Sequence, residues 1–177
     1  MWMLHVDGSS KNKFSGAGMI LTDPEGHIYV YALKFKFKTS NNTAEYEALI
    51  TGILLAKELG VKNLKIFSDS QLVVNQVNDD FQAKEPHLSH YHSLTTALVK
   101  QCLTSHMIAL IPLSQNTKVD AIARLATSPL GTDIRGLKLE VLDKPSIDRP
   151  FSKILTTESQ RPPSWIDPFI DYLSKKH

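Results

Sequence analysis

Apolar residues recur at every second position near the start of the chain, which is the period of a β-strand. Trp2, Leu4 and Val6 form this pattern. Two further apolar stretches, residues 15–21 and 27–37, predict a second and a third strand, with an Asp-Pro-Glu-Gly turn segment between them. Because the connections are short, we expect these three strands to be antiparallel neighbours.

A helical period follows the third strand. The Ser-Asn-Asn segment at residues 40–42 favours a helix N-cap and Gly60 favours a helix end, so we predict a long helix over residues 44–59. On one face, this helix would carry an acidic residue at its start and three small residues that allow a close approach to a sheet: Glu45, Ala48, Gly52 and Ala56.

Shorter periodic segments occupy the rest of the first 128 residues. In order they predict a strand, a short helix, a third helix, a strand and a last helix, over residues 64–69, 70–77, 86–102, 106–111 and 119–126. The predicted fold class is therefore α/β, with a mixed sheet flanked by helices. Six of the nine prolines lie after residue 128, so we predict a folded domain at 1–128 and a Pro-rich tail or linker at 129–177.

Composition excludes several classes of protein. The 177 residues are 42% hydrophobic and 21% charged, which is typical of a globular chain, and the net charge of +2 gives no general argument for nucleic acid. The single cysteine, Cys102, excludes a disulfide framework and a multi-cysteine zinc site. We see neither a membrane-spanning stretch nor a targeting signal, and expect a reducing, cytoplasmic or nuclear location.

Four carboxylates stand at the ends of predicted elements. Asp7 and Asp69 end two strands, Glu45 begins the long helix and Asp120 begins the last one. If the two strands are parallel neighbours, the carboxylates meet at one sheet edge, where clustered oxygen ligands suit Mg²⁺ or Mn²⁺. The alternative is that all four are solvated loop and cap residues, and spacing alone leaves it open.

Four segments around these carboxylates resemble a known family. Residues 5–10, 40–49, 67–73 and 116–123 resemble, in order and spacing, the type-1 ribonuclease H domain of plant LTR retrotransposons of the gypsy class. The resemblance implies a ribonuclease H-like fold with a five-stranded mixed sheet. It also implies a metal-dependent endonuclease that cuts the RNA strand of RNA–DNA hybrids with two Mg²⁺ ions, or Mn²⁺, held by the four catalytic carboxylates: Asp7, Glu45, Asp69 and Asp120.

The same resemblance implies substrate contacts. Gly8, Ser9, Ser10 and Gln71 would lie on the RNA side, and we also place Asn116 among the substrate-binding residues. Residues 41 and 42 would reach the minor groove, and residue 40 would hold a DNA phosphate: Asn41, Asn42 and Ser40. Plain helix capping is the alternative for these last three, and both roles can hold together. A polar turn is the alternative for the two serines.

Other candidate residues have simpler interpretations. Lys34, Lys36 and Lys38 would share one strand face, either against phosphates or in solvent. The histidines at positions 87, 90 and 92 predict a surface helix rather than a metal site. Cys102 falls on an apolar stripe and is predicted in the core, and His5 is assigned a structural role.

The chain departs from the family pattern at two places. The loop before Asp120 has no histidine, and Leu113 stands where many retroelement relatives have an arginine. Residues 78–87 lack a basic protrusion and include Asp79 and Asp80. These departures favour an alternative function, a catalytically weak or inactive module that binds nucleic acid or protein. They also suggest dependence on a linked reverse transcriptase, and residues 129–177 resemble the spacer before an integrase.

Overall fold

The computed structural model describes residues 1–11, 14–78, 85–126 and 138–148. Its centre is a six-stranded mixed sheet. The first three strands form an antiparallel meander, as predicted: β1 (Trp2–Lys11), β2 (Phe14–Thr22) and β3 (Ile28–Phe35). The other three are β4 (Asn63–Ser68), β5 (Ser105–Leu110) and β6 (Lys138–Leu142), and the order across the sheet is β5-β4-β1-β2-β3-β6.

Four α-helices surround the sheet, at the places that the periodicity predicts. They are α1 (Asn41–Glu58), α2 (Gln71–Val77), α3 (Pro86–Cys102) and α4 (Thr117–Ala126). Short 3₁₀ turns at Leu113–Gln115 and Ser146–Asp148 complete the described elements. None of the helices in this part of the chain combines the length and hydropathy needed to cross a membrane.

Strand register places two of the predicted site residues side by side. β1 lies parallel to β4, with His5 opposite Phe67. Asp7 and Asp69 each lie two residues further along, so both side chains reach the same end of the sheet. One detail of the prediction is wrong: Asp7 does not end its strand, because β1 continues to Lys11 through its pairing with β2.

Helices cover the sheet on both faces. Leu4 points to α1, where a Cβ atom on Gly52 would come within 2.6 Å of its Cδ2 atom, so the predicted close approach is confirmed. Gly18, on the face that Asp7 shares, lies against α4: an added Cβ atom would be 2.7 Å from the carbonyl oxygen of Val119. The core lies mainly between the sheet, α1 and α3, and α1 is buried from Thr43 to Ala56.

The sixth strand corrects the predicted five-stranded sheet. β6 pairs in parallel with the edge of β3 and lies within the segment that we predicted to be irregular. Residues 138–142 do show alternation, with Leu139 and Val141 on one face, but five residues between Pro-containing segments are a weak signal without the β3 edge. The interpretation of residues 129–177 as a spacer stays a prediction, and only residues 138–148 of this segment are among those that the structure describes.

A buried carboxylate on α1 holds the residues after β6. Glu47 accepts hydrogen bonds from the Tyr91 hydroxyl on α3 (2.6 Å), the Ser146 backbone N–H (2.8 Å) and the Ser146 hydroxyl (2.5 Å). Glu47 and Ser146 are both fully buried. Residues 138–148 therefore pack as part of the same body as the helices.

Candidate metal centre

Three carboxylates meet where β1, β4 and the start of α1 come together. One oxygen from each of Asp7, Glu45 and Asp69 lies within 4.8 Å of the other two. Asp7 and Glu45 are only 4% and 7% exposed. The parallel pairing of β1 with β4 brings the two aspartates together, and the first turns of α1 add the glutamate.

Gly8 allows this meeting. A Cβ atom at this position would lie 2.4 Å from the carbonyl carbon of Ala44 and from the amide nitrogen of Glu45. No side chain fits between β1 and α1 at that distance, so glycine is required for the strand to run against the helix backbone. The close contact holds Asp7 and Glu45, one on each element, next to each other.

The carboxyl groups of Asp7, Glu45 and Asp69 all have raised pKa values, because they are removed from water and lie close to other acidic groups. Burial raises the pKa of Asp7 to about 7, and the charges of Asp69 and Asp120 act in the same direction, against a hydrogen bond with Glu45 that lowers it. Burial, a hydrogen bond with Asp7 and the charge of Asp7 raise the pKa of Glu45 to about 10. Burial also raises the pKa of Asp69, with a further contribution from the charge of Asp120.

This donor set fits a divalent cation. Two of its buried oxygens, Glu45 Oε2 and Asp69 Oδ2, have no hydrogen-bond partner. Buried, unpartnered carboxylate oxygens are costly, and a hard cation would compensate both the missing partners and the mutual repulsion. Without such an ion, the raised pKa values favour the protonated form of these carboxyl groups, which reduces their mutual repulsion.

Asp120 approaches from α4, which covers the other face of the sheet from α1. It lies in the first turns of α4, forms a hydrogen bond with Asp7 and lines the same cavity of about 660 Å³ as Asp7 and Asp69. Its Oδ2 atom is 3.1 Å from Nε of Arg124, one helical turn further on. Sequence reasoning missed this arginine, although the spacing of four residues on a predicted helix indicates such a pair.

Two of the predicted substrate residues line the same cavity, Gly8 and Gln71. The rest of its wall is apolar. It is formed by the end of β5 and the residues that follow, which sequence reasoning missed apart from Leu113: Leu110, Ile111, Pro112 and Leu113. Leu113 is 55% exposed in its 3₁₀ turn. The cavity therefore combines an acidic floor with an apolar, solvent-facing rim.

Five predicted substrate residues lie where the end of β1 meets the start of α1. The Ser10 backbone N–H donates to Asn41 Oδ1 (3.2 Å), and the Ser10 hydroxyl donates to the Thr39 carbonyl (2.6 Å). Ser40 caps α1 through a capping box with Thr43, so the capping role is confirmed. Ser9 is buried in β1. Substrate contacts by these residues, and by Asn42 in the first turn of α1, stay predictions.

Asn116 lies beneath the carboxylates and is 2% exposed. Its Nδ2 group donates to the Val6 carbonyl (3.1 Å), and its side chain lies close enough to Asp69 to lower the pKa of that carboxyl group. Its own carbonyl accepts from the Asp120 N–H (3.0 Å). This position differs from that of a residue on the substrate-facing surface.

A second group of potential metal ligands, Asp23, Glu25 and His27, lies in the turn between β2 and β3. Its geometry is that of a turn: the Asp23 carboxylate accepts from the backbone N–H groups of Glu25 and His27 at 2.9 and 2.8 Å, and from the Tyr29 hydroxyl. These hydrogen bonds account for the burial of Asp23.

The remaining sequence interpretations have mixed outcomes. Cys102 is buried, as predicted, and His5 stacks on Phe67 with ring centroids 4.9 Å apart, as a structural role requires. Within the described residues, the histidines of α3 belong to no group that could hold a metal. The shared strand face of the three lysines is wrong, because β3 ends at Phe35 and only Lys34 lies on the strand. Asp79 and Asp80 lie outside the described residues.

Comparison with known proteins shows which family and which relatives the described domain resembles. The model of the family described as "Reverse transcriptase-like" matches residues 5–126. Ribonuclease HI of Halobacterium salinarum is 27% identical over 124 residues, which are 69% of this chain and 62% of that protein. A bifunctional protein of Mycobacterium tuberculosis is 26% identical over 166 residues, or 92% of this chain. The chain spans 42% of the length of that relative.

Solved structures agree with this placement. The crystal structure of RNase H1 from H. salinarum superposes with a TM-score of 0.67 at 26% identity, covering 71% of this chain and 96% of that one. The N-terminal RNase H domain of the M. tuberculosis protein gives a TM-score of 0.62 at 26% identity, covering 71% and 92%. The chain thus has a mixed α/β, ribonuclease H-like fold, as expected, with six strands in place of five.

Proposed function

The chain belongs to the reverse transcriptase-like family, and we propose that it hydrolyses the RNA strand of RNA–DNA hybrids with the help of two divalent cations. One observation carries the proposal: three carboxylates from separate elements, two of them buried, meet within 4.8 Å, and a fourth lines the same cavity. The relatives named ribonuclease H share the fold around this site. Burying like-charged carboxylates next to one another is costly, so this arrangement differs from a chance cluster of solvated surface residues.

The four carboxylates would hold the metal ions: Asp7, Glu45, Asp69 and Asp120. Bound Mg²⁺ or Mn²⁺ would lower the pKa of a water and stabilise the charge on a leaving oxygen. In the proposed reaction the water oxygen bonds to phosphorus and the bond to the 3′ oxygen breaks, which leaves a 5′-phosphate and a 3′-hydroxyl. The chain's own part is to keep Asp7 and Glu45 close together through the Gly8 contact, and to give up their protons when the cations bind.

The proposed substrate surface runs from the cavity to the start of α1. Gly8 and Gln71 line the cavity itself, where backbone and small polar groups can detect 2′-hydroxyls across a wide minor groove. Ser10 continues this surface on the RNA side, together with the backbone of Ser9, whose side chain is buried in β1. Ser10 is tied to Asn41 by a hydrogen bond, and the exposed start of α1 would offer Ser40, Asn41 and Asn42 to the minor groove and to a DNA phosphate.

We further propose a retroelement setting for this domain. The sequence motifs resemble those of plant gypsy-class retrotransposons, and the matching family model is described as reverse transcriptase-like. A linked reverse transcriptase and integrase are the partners that this setting implies. In the described part of the chain, the rim of the cavity around Leu113 is apolar and lacks a cationic side chain that could attract phosphates. Such a partner would supply the missing phosphate contacts.

Cleavage of labelled substrates tests the function. The full chain is incubated with an RNA–DNA hybrid, single-stranded RNA or double-stranded RNA, each with Mg²⁺, Mn²⁺ or EDTA. We expect cutting of the RNA strand of the hybrid alone, only with metal, and its loss in Asp69→Asn. Asp143→Asn is the matched control, because Asp143 is an exposed carboxylate far along the chain from the cluster.

Two results would contradict the proposal. The proposal is contradicted if folded wild-type protein cuts no substrate with either metal. The remaining function would then be that of a binding module, which a gel-shift assay with the same hybrid would detect. Equal activity in Asp69→Asn and Asp143→Asn would show that the carboxylate cluster is not the active site.

A further inference from the structure

Asn116 connects the three elements that carry the aspartates. Its Nδ2 group donates to the carbonyl of Val6, the residue before Asp7 on β1, at 3.1 Å. Its side chain lies close enough to Asp69, at the end of β4, to lower the pKa of that carboxyl group against the effect of burial. Its backbone carbonyl accepts from the N–H of Asp120 at 3.0 Å, at the start of α4. One residue thus contacts every aspartate of the cluster, either directly or through the adjoining backbone.

The chemistry of a primary amide suits this position. The Asn116 side chain has two N–H donors on one nitrogen, and its neighbours are a carbonyl and a carboxylate, which both accept. Its Oδ1 atom has no partner, so the orientation of the amide is determined by the two acceptors rather than by a bond to the oxygen. If the amide were flipped, its oxygen would face the Val6 carbonyl and the Asp69 carboxylate, which are themselves acceptors.

A residue that connects these elements can fix the relative positions of carboxylates that repel one another. Asp7 and Asp69 lie on neighbouring strands, whereas Asp120 reaches the cavity from a helix on one face of the sheet. The position of α4 relative to the strands therefore decides whether Asp120 can bind the same metal ions as the other two aspartates. Side chains that orient ligands by hydrogen bonding are as important to a metal site as the ligands themselves.

We propose that Asn116 is a positioning residue that holds Asp7, Asp69 and Asp120 in one metal-binding arrangement, rather than a residue that contacts substrate. The inference rests on the proposed metal-dependent function of the cluster. It replaces the substrate contact that the sequence predicts, because a side chain only 2% exposed, with its donors engaged inside the protein, is not presented to a nucleic acid.

The test compares Asn116→Ala with Gln115→Ala, a change at the exposed neighbouring residue. Mn²⁺ affinity is measured by calorimetry on the free protein, and kcat and KM by hybrid cleavage in Mn²⁺. We expect Asn116→Ala to lower Mn²⁺ affinity and kcat by about 10–100-fold each, with KM within about twofold of wild type. Gln115→Ala should leave all three unchanged.

Other outcomes overturn the inference. A raised KM with kcat and Mn²⁺ affinity retained would assign Asn116 to substrate binding, and values equal to those of Gln115→Ala would remove any role. If Asn116→Ala does not fold, Asn116→Asp, which is isosteric but donates no hydrogen bond when ionised, takes its place. Unfolding of both variants would make Asn116 a general stability residue and overturn its positioning role.

The two claims can fail separately. Wild-type protein that binds Mn²⁺ but does not cleave would contradict the proposed function, while the calorimetric comparison would still decide the role of Asn116. Wild-type protein that neither binds Mn²⁺ nor cleaves would overturn both.

Discussion

Replacing Ser146 by alanine should destabilise the whole domain. Its hydroxyl and its backbone N–H both donate to the fully buried Glu47, which also accepts from Tyr91. Ser146→Ala removes the 2.5 Å hydroxyl bond and leaves Glu47 Oε2 buried without that donor. Ser146 lies 99 residues from Glu47, so the bond joins the segment after β6 to the centre of α1.

The magnitude follows from the burial of this acceptor. Removing one partner of a buried hydrogen bond costs about 1–3 kcal/mol, because the remaining group loses that bond and does not gain one to water. Glu47→Ala removes three such bonds and leaves a cavity, and should cost about 3–5 kcal/mol. Against a total stability of about 5–15 kcal/mol, either change is easily measured.

Urea unfolding of the full chain measures these costs. The free energies of unfolding of Ser146→Ala, Tyr91→Phe and the double variant form a cycle that gives the coupling through Glu47. Ser93→Ala is the matched control, since Ser93 is an exposed serine on α3. We expect a single transition in every variant, with coupling between the two changes because both bond the same carboxylate.

Two results would refute this reasoning. A loss in Ser146→Ala no larger than that in Ser93→Ala would show that the buried hydrogen bond contributes nothing. A separate early transition for residues 138–148, with the main transition unchanged, would show that this segment docks on a domain that folds without it.

The remaining predictions concern the carboxylate cluster. Gly8→Ala should cost about 1–3 kcal/mol in urea unfolding and weaken Mn²⁺ binding, because β1 and α1 must separate where the new methyl group would lie 2.4 Å from the backbone of Glu45; unchanged Mn²⁺ affinity would contradict it. In EDTA, the stability contributed by protonated Asp7 should be fully present below about pH 4 and lost as the pH rises through about 7, because its pKa is raised in the folded state, which then binds more protons than the unfolded chain. Thermal melts at pH 5 and pH 8 should therefore show a larger fall for wild type than for Asp7→Asn, and a smaller fall would contradict the raised pKa. Saturating Mn²⁺ should raise the melting temperature of wild type at pH 8 more than that of Asp69→Asn, because an ion that binds the folded chain stabilises it, and equal shifts would place the ion elsewhere.

Several features could be predicted from local sequence alone. The alternation of Trp2, Leu4 and Val6 identified β1, and Ser40 and Gly60 marked the ends of α1, where the structure shows a capping box and a left-handed glycine with φ of 77°. These signals work because strand period, capping and left-handed backbone are interactions among residues close in the chain. The four candidate carboxylates were found from motifs at the ends of such elements.

Other features depended on pairing that no local pattern records. Glu45 and Glu47 are two acidic residues on one helix, yet one joins the carboxylate cluster and the other bonds Tyr91 and Ser146. Asn116 belonged to a motif, but its burial against Val6 follows from how α4 packs on the sheet.

The sequence by itself determined the elements of the first 126 residues, their order and the residues with candidate chemistry, because each depends on short-range periodicity and residue type. Only the tertiary structure decided which groups meet, which of them lose water and which sheet edge is free to pair. Those outcomes depend on contacts such as the one between Gly8 and Ala44, or the pairing of β6 with β3, that join residues far apart in the chain. Desolvation at these contacts raises the pKa values of Asp7 and Glu45 and gives the acidic cluster its candidate chemistry.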